Sequence, residues 1–474
     1  MSILRAVLAL FLVPLSLFAA GHDLTSSPPQ SDQQLPVVTG NGAGFTAAWT
    51  DLTYPRAVMS RGVSGSGEPL AALAISERPA SSMAIAHSPF DTLVVINDGN
   101  VSAVRLTPSG IPLNTILLWS GDAFQSSREV AVAWNGSRYF VIWSYFNQLI
   151  GAFISPGGSS TQPRAFLTEP DSSRLLPPDV AWDGQHFVVV VGEKPSVSCS
   201  CPPPDTIQFR VMRVSAGGDA IDASPLVITG DHLRAHVASS GSESLITLDG
   251  AGGVSSIIAH DGSALTLDAE TPLFSWYANI ASAVAWNGLT YTVAWRYLSG
   301  YDLSFAAGPG WLAAAQVTRA GLAFDYRATA ASAHFSLNPH VRAAANEAGT
   351  TALVTEEFAE SSRYGRARLY LVSELPPMPA PPPAPANMVS FLSGPYARID
   401  WEASGAENGF VVEFTRDSGK QWTFVSVLPA DARSATVTGT PDALYRIRAL
   451  GPGGSSEGTM IKIVSSQRRR AERP

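Results

Sequence analysis

The chain has 474 residues, 45% hydrophobic and 15% charged, against about 25% charged in an average soluble domain, which excludes disorder for most of its length. Its formal charge of −8, or −9 once Arg5 leaves with a leader, offers no basic footprint for nucleic acid. At about 150 residues per domain the length suggests three domains. The 40 glycines and 35 prolines instead suit a turn-rich β protein, in which one closed array can absorb several hundred residues.

Residues 1–21 read as a signal peptide: Arg5 is the charged region and Ala6 to Phe18 the apolar stretch, too short to span a bilayer stably. Ala19-Ala20-Gly21 supplies small residues for cleavage before His22, and no cysteine stands there to take a lipid. Further along, no apolar run approaches a transmembrane length. The expected mature protein is secreted, extracellular or periplasmic, without a transmembrane segment, and monomeric.

Repeats organise the chain beyond the leader. Val130-Ala131-Val132-Ala133-Trp134 precedes Asn135-Gly136 and then Tyr139 to Trp143. The pattern recurs at Val180-Ala181-Trp182-Asp183-Gly184 with Phe187 to Val191, and at Val284-Ala285-Trp286-Asn287-Gly288 with Tyr291 to Trp295. A fourth copy runs from Asn41 to Trp49, and weaker ones lie around Ser88 to Ile96, Ser240 to Leu248 and Asn346 to Thr355. Anchors at 41, 88, 135, 183, 240, 287 and 346 give a period near 47 with two longer intervals. Each unit reads as four strands. The first meets an Asn-Gly turn, where positive φ is tolerated. The second is apolar on both faces and therefore covered on both sides. The repeated Trp and Tyr are expected to fill the space between units.

These motifs resemble those of exported bacterial proteins with VAWNG…YxVxW-type propeller repeats, over about Leu35 to Val372. The resemblance implies an all-β fold, a seven-bladed β-propeller over 22–373, and little about chemistry. A count of six or eight is the alternative. The last unit lacks a fourth strand, which the segment from His22 to Gln34 is expected to supply, although Pro28 and Pro29 suit a strand poorly.

Residues 374–386 form a Pro-rich linker, expected as an extended polyproline spacer; an SH3-type ligand is the sharper but less fitting reading. From 387 to 466, Ala397 to Trp401, Phe410 to Phe414, Gln421 to Val427, Ala435 to Val437 and Leu444 to Ala449 read as strands. This stretch resembles a fibronectin type III β-sandwich, with Trp401 as the early core Trp and Tyr445 as the late-strand Tyr. Within it Thr415 to Thr423 matches the sialidase Asp-box, but once and outside the repeats. Residues 467–474 form a basic tail.

Signals for chemistry are sparse. Cys199 and Cys201, spaced i, i+2, suit a strained loop disulfide or idle thiols, less well an intermolecular or redox role, and least a metal site. His232 and His236 share a strand face but stand about 13 Å apart, too far for one metal. No cofactor and no metal are expected, and no catalytic residue is assigned. Long second-to-third connections at 192–205, 296–310 and 356–365 converge on one face of the ring. The aromatic residues there are Tyr54, Tyr145, Phe146, Trp276, Tyr277, Tyr297, Tyr301, Phe305, Phe358 and Tyr364. They are the ligand-binding candidates, unless they simply cap the sheet ends. The expected function is non-catalytic binding or scaffolding, this face contacting a glycan or a cell-surface protein. The alternative is a glycan hydrolase or lyase using Asp51, Asp302, Glu356 or Glu357.

Overall fold

The computed structural model describes residues 21–24, 32–53, 55–121, 129–170, 173–195, 207–230, 232–250, 253–275, 281–298, 307–329, 333–336, 340–358, 365–405, 407, 409–416, 419, 422–438, 443–451 and 453–463. Among these the protein is all-β, and no helix is long and apolar enough to cross a membrane. The third sheet shows the plan: Val130–Trp134, Tyr139–Tyr145, Gln148–Ile154 and Arg164–Thr168 pair antiparallel in chain order. The other four-strand groups begin with Gln33–Asn41, Ser82–His87, Ser173–Trp182, His232–Ser239, Ala281–Trp286 and Val341–Ala345. The last two, numbered as the sixth and seventh sheets, are joined into one nine-stranded sheet by Ala333–Ser336, which pairs with a strand of each. Each of these first strands touches the first strand of the next sheet, and Val341–Ala345 returns to Gln33–Asn41. The sheets therefore form a closed, propeller-like ring with first strands at the centre.

Local chemistry repeats with the sheets. Trp134 faces Tyr139, Trp182 faces Phe187 and Trp286 faces Tyr291 across the first hairpin, each pair with ring centroids 4.8 Å apart. The second strands are buried on both faces, with Tyr139 to Trp143 fully enclosed. Each core cluster draws side chains from neighbouring sheets, as Phe140 and Phe153 of the third meet Phe187 and Met212 of the fourth. Burying a large apolar side chain stabilises by about 1.5–3 kcal/mol, so the ring is held by the spaces between sheets. Tyrosine adds polar stitching: the Tyr139 hydroxyl donates to Asp91 in the second sheet's turn (2.8 Å to Oδ1), and that of Tyr291 to the Glu243 carbonyl (2.6 Å).

The seventh sheet is completed from the other end of the chain. Strand His22–Asp23 pairs with Gly365–Leu371, His22 opposite Leu369 and Asp23 opposite Arg368. Leu24 continues into the core, fully buried, with its amide on the Ala367 carbonyl (3.1 Å).

After the ring, Ala386–Ser393, Tyr396–Glu402 and Ser434–Thr438 form one sheet. Gly409–Thr415, Thr423–Pro429 and Leu444–Gly451 lead a second. Trp401, Ile399 and Val437 of the first pack on Phe410, Val412 and Tyr445 of the second, making a sandwich. The Tyr445 hydroxyl donates to the Thr438 carbonyl.

The Pro-rich stretch, expected as an extended polyproline spacer, begins in contact with the ring. The Met378 amide donates to the Tyr326 carbonyl (2.8 Å), and Pro376 accepts from Ala328 (3.0 Å), so the stretch begins along the sixth sheet's outer edge. Val411 and Leu450 of the sandwich join the cluster of Phe274, Trp295 and Trp311 in the ring. Apolar residues on both partners bring the sandwich down onto the ring.

Candidate functional site

The first strands line a central channel. Its wall takes Val37, Met83, Val132, Asp179, His236, Ala283 and Arg342 from successive sheets, around a cavity of about 170 Å³. That is room for several waters. Small apolar side chains dominate this wall, so its polar members are conspicuous. Asp179 and His236 form a pair across the fourth and fifth sheets, with Nδ1 to Oδ2 at 3.2 Å. The same Asp179 oxygen accepts the Val237 amide (3.1 Å).

At the end where the first strands begin, the channel opens among Glu129, Arg234, His236, Ala281, His340 and Arg342. This is the end carrying the second-to-third connections, because antiparallel second strands finish where first strands start. The mouth is electropositive. Burial holds the His340 imidazole well below its usual range, and Arg342, Arg234, Arg296 and His236 all press the same way. Arg296 is completely enclosed behind the wall, where burial lowers it to about 9, partly offset by Glu356. Asp249 is its acidic counterpart. It accepts the Ser282 amide (2.8 Å), and burial pushes its carboxyl up against the pull of His236 and Arg234. Such surroundings repel a cation and attract a carboxylate or other anion. Glu129 limits the attraction to the side bearing the guanidiniums.

The aromatic candidates divide. Tyr145 is half-buried and Phe146 is 55% exposed, their rings 4.8 Å apart at a hairpin tip on the same face. Trp119, which the sequence does not single out, stands 5.7 Å from Tyr145 and makes a platform of three rings. Tyr297 offers no face to a ligand: it is fully enclosed, stacked on Trp311 (5.4 Å) and against Phe274 (4.9 Å). Its strand runs further than the repeat implies, to Leu298, which places the ring in the core beside the sandwich. Phe358 ends the strand Thr351–Phe358. Tyr54, Trp276, Tyr277, Tyr301, Phe305, Tyr364, Cys199, Cys201 and Asp302 lie outside the described residues.

Among the described residues, the acids weighed for catalysis, Asp51, Glu356 and Glu357, do not converge. Asp51 Oδ1 accepts the Thr53 amide (2.8 Å) within its own loop. Glu357 accepts from Arg368 (2.9 Å) and from the Tyr370 hydroxyl. Glu356 is buried beside Arg296 and does not line the channel or its mouth. His232 and His236 also part company, the first on Glu270 (3.3 Å), the second on Asp179. Trp422 of the Asp-box-like stretch carries the Arg446 guanidinium 4.1 Å above its ring.

Sequence reasoning missed Arg234, His340 and Arg342 as a group. Their signal was available in principle: first strands are the innermost, so a charged residue on one of them faces the axis.

No protein family and no curated protein sequence matches the chain. Solved structures resemble it at low identity. The WD40 domain of SCAP from fission yeast is 12% identical, with a TM-score of 0.36 over 74% of this chain and 98% of that one. SapL1 lectin, solved with alpha methyl fucoside, is 12% identical, with a TM-score of 0.37 over 74% and 97%. A chain titled "Myokine structure" is 20% identical, with a TM-score of 0.15 over 18% and 99%.

Proposed function

We propose that this protein is an exported, monomeric, non-catalytic binding protein. In this reading a seven-bladed β-propeller carries a docked fibronectin type III module, and the propeller's long-loop face takes an acidic glycan. The observation that carries it is the channel mouth, where Arg234, Arg342 and His236 surround a half-buried, neutral His340. A uronate-type carboxylate answers that charge, and the platform of Trp119, Tyr145 and Phe146 on the same face suits a sugar ring. Export rests on Arg5 and the apolar stretch after it.

Affinity electrophoresis of the mature protein tests this reading. Polygalacturonate or alginate should retard it, neutral dextran should not, and added salt should weaken the retardation. The double variant Arg234→Ala/Arg342→Ala should lose at least tenfold in affinity. Equal mobility in acidic and neutral gels would remove the acidic-glycan reading.

A further inference from the structure

One position of the first-hairpin turn does the same work in several sheets. Asn135 Oδ1 accepts the amides of Ser137 (2.9 Å) and Arg138 (2.8 Å). Asn287 Oδ1 accepts those of Leu289 (3.0 Å) and Thr290 (2.8 Å). In the fourth sheet Asp183 Oδ1 accepts those of Gln185 (2.8 Å) and His186 (2.6 Å). The turn needs one oxygen, and an amide provides it. The carboxylate of Asp183 therefore has an oxygen that the turn does not use.

That oxygen, Oδ2, is buried in a residue only 2% exposed and meets no N–H or hydroxyl donor; what stands beside the Asp183 carboxylate is the carboxylate of Asp261. A stranded carboxylate oxygen is destabilising unless a positive group or a proton answers it. Asp183 is aimed at two other donors: one atom each from Asp183, His186 and Asp261 lie within 4.8 Å of one another. Asp261 ends the third strand of the fifth sheet, and its Oδ2 stands 2.7 Å from His186 Nδ1. Its other oxygen accepts from Arg213, which also bonds Asp222 (2.6 Å). Asp222 and Asp261 thus share one guanidinium and Asp183 lies beside Asp261, so with every carboxylate ionised and the imidazole neutral the cluster is two positive charges short.

We propose that Asp183, His186 and Asp261 bind one divalent transition ion, with zinc(II) the best match, which clamps the fourth sheet to the fifth. One imidazole nitrogen and two carboxylate oxygens suit zinc, whereas calcium takes six to eight oxygens. Arg213 on Asp261 Oδ1 orients that ligand from outside the coordination shell. The His186 side chain is 16% exposed, so water can complete the coordination. The ion's two charges make up the deficit, and its ligands come from both sheets.

Asp183→Asn is the informative variant, because asparagine already forms this turn in the third and sixth sheets. Full-length protein stripped with EDTA is titrated with zinc chloride at pH 7 by calorimetry, and its thermal unfolding is followed with and without zinc. Wild type should take up one more equivalent than Asp183→Asn, and zinc should raise its Tm by several degrees but not that of the variant. His186→Gln should weaken the same equivalent at least tenfold, and it serves alone if Asp183→Asn does not fold. Equal zinc uptake and equal Tm shift in wild type and variants would overturn the proposal. So would absence of uptake with Asp183→Asn more stable than wild type, since Asp183 and Asp261 would then share a proton.

Discussion

Single residues set both the joints of the ring and its response to pH. Tyr139 and Tyr291 reach back to the preceding sheet through their hydroxyls, whereas Phe45 and Phe187 occupy equivalent places by packing alone. The aromatic copies of the repeat therefore use two solutions to one contact. Glu356 is the more revealing residue. Burial pushes its carboxyl up from 4.5 to about 7, with Arg296 pulling down and Asp32 pushing up. Because the folded protein holds this proton longer than the unfolded chain, the contribution of Glu356 to stability is full below about 4.5 and is lost as pH rises to about 7. Urea denaturation across that window should show a steeper decline for wild type than for Glu356→Gln. Parallel curves would place the titration elsewhere.

Turns and strands are the level at which the sequence spoke most clearly, and where one signal was overlooked. Ser64, Thr107, Ser155, Ser215 and Thr318 each open a third-to-fourth-strand turn. Each hydroxyl accepts the amide four residues on, and a glycine at φ between 78° and 98° stands three residues on. The Ser/Thr-x-x-Gly spacing is therefore a second repeat signature, and it includes the second unit, whose aromatic motif has decayed. Glycines also differ in what they do. Gly288 has φ +93° and open space around it, so Gly288→Ala meets only backbone strain, a cost of about 1 kcal/mol. Gly40 has ordinary φ, but an added Cβ would lie 2.2 Å from the Ala345 carbonyl oxygen, where the first sheet meets the seventh. Gly40→Ala should therefore destabilise the more strongly of the two in chemical denaturation, the reverse of what the φ angles suggest.

At the scale of the whole molecule, two long-range contacts decide the assembly. The N-terminal strand closes the ring on Gly365–Leu371, over three hundred residues away in sequence, and the Arg61 guanidinium holds the Leu24 carbonyl behind it. The sandwich is seated through Val411, Leu450 and Met378 on the sixth sheet's cluster. Elastase should therefore spare the Ala386–Asn387 bond, an alanine bond in this stretch not followed by proline, in the native protein and release the sandwich only as the ring unfolds. Early release under native conditions would show that the stretch stands clear of the ring.

The four-strand unit, its turns and its core aromatics were legible in the sequence because they depend on local spacing: an Asn-Gly pair, a doubly apolar strand, a Trp facing a Tyr across a hairpin. The second small β unit was legible for the same reason. Which side chains share a site depended instead on how the sheets assemble. Arg234 and Arg342 meet His340 at the channel mouth because the ring brings separate first strands together. Asp261 meets Asp183 and His186 because neighbouring sheets stack face to face. Tyr297 shows the converse: its spacing marked it for a loop, and the docked sandwich and Trp311 placed it in the core. Periodicity reports what a residue does within its own strand, whereas sites are built from contacts between strands dozens to hundreds of residues apart.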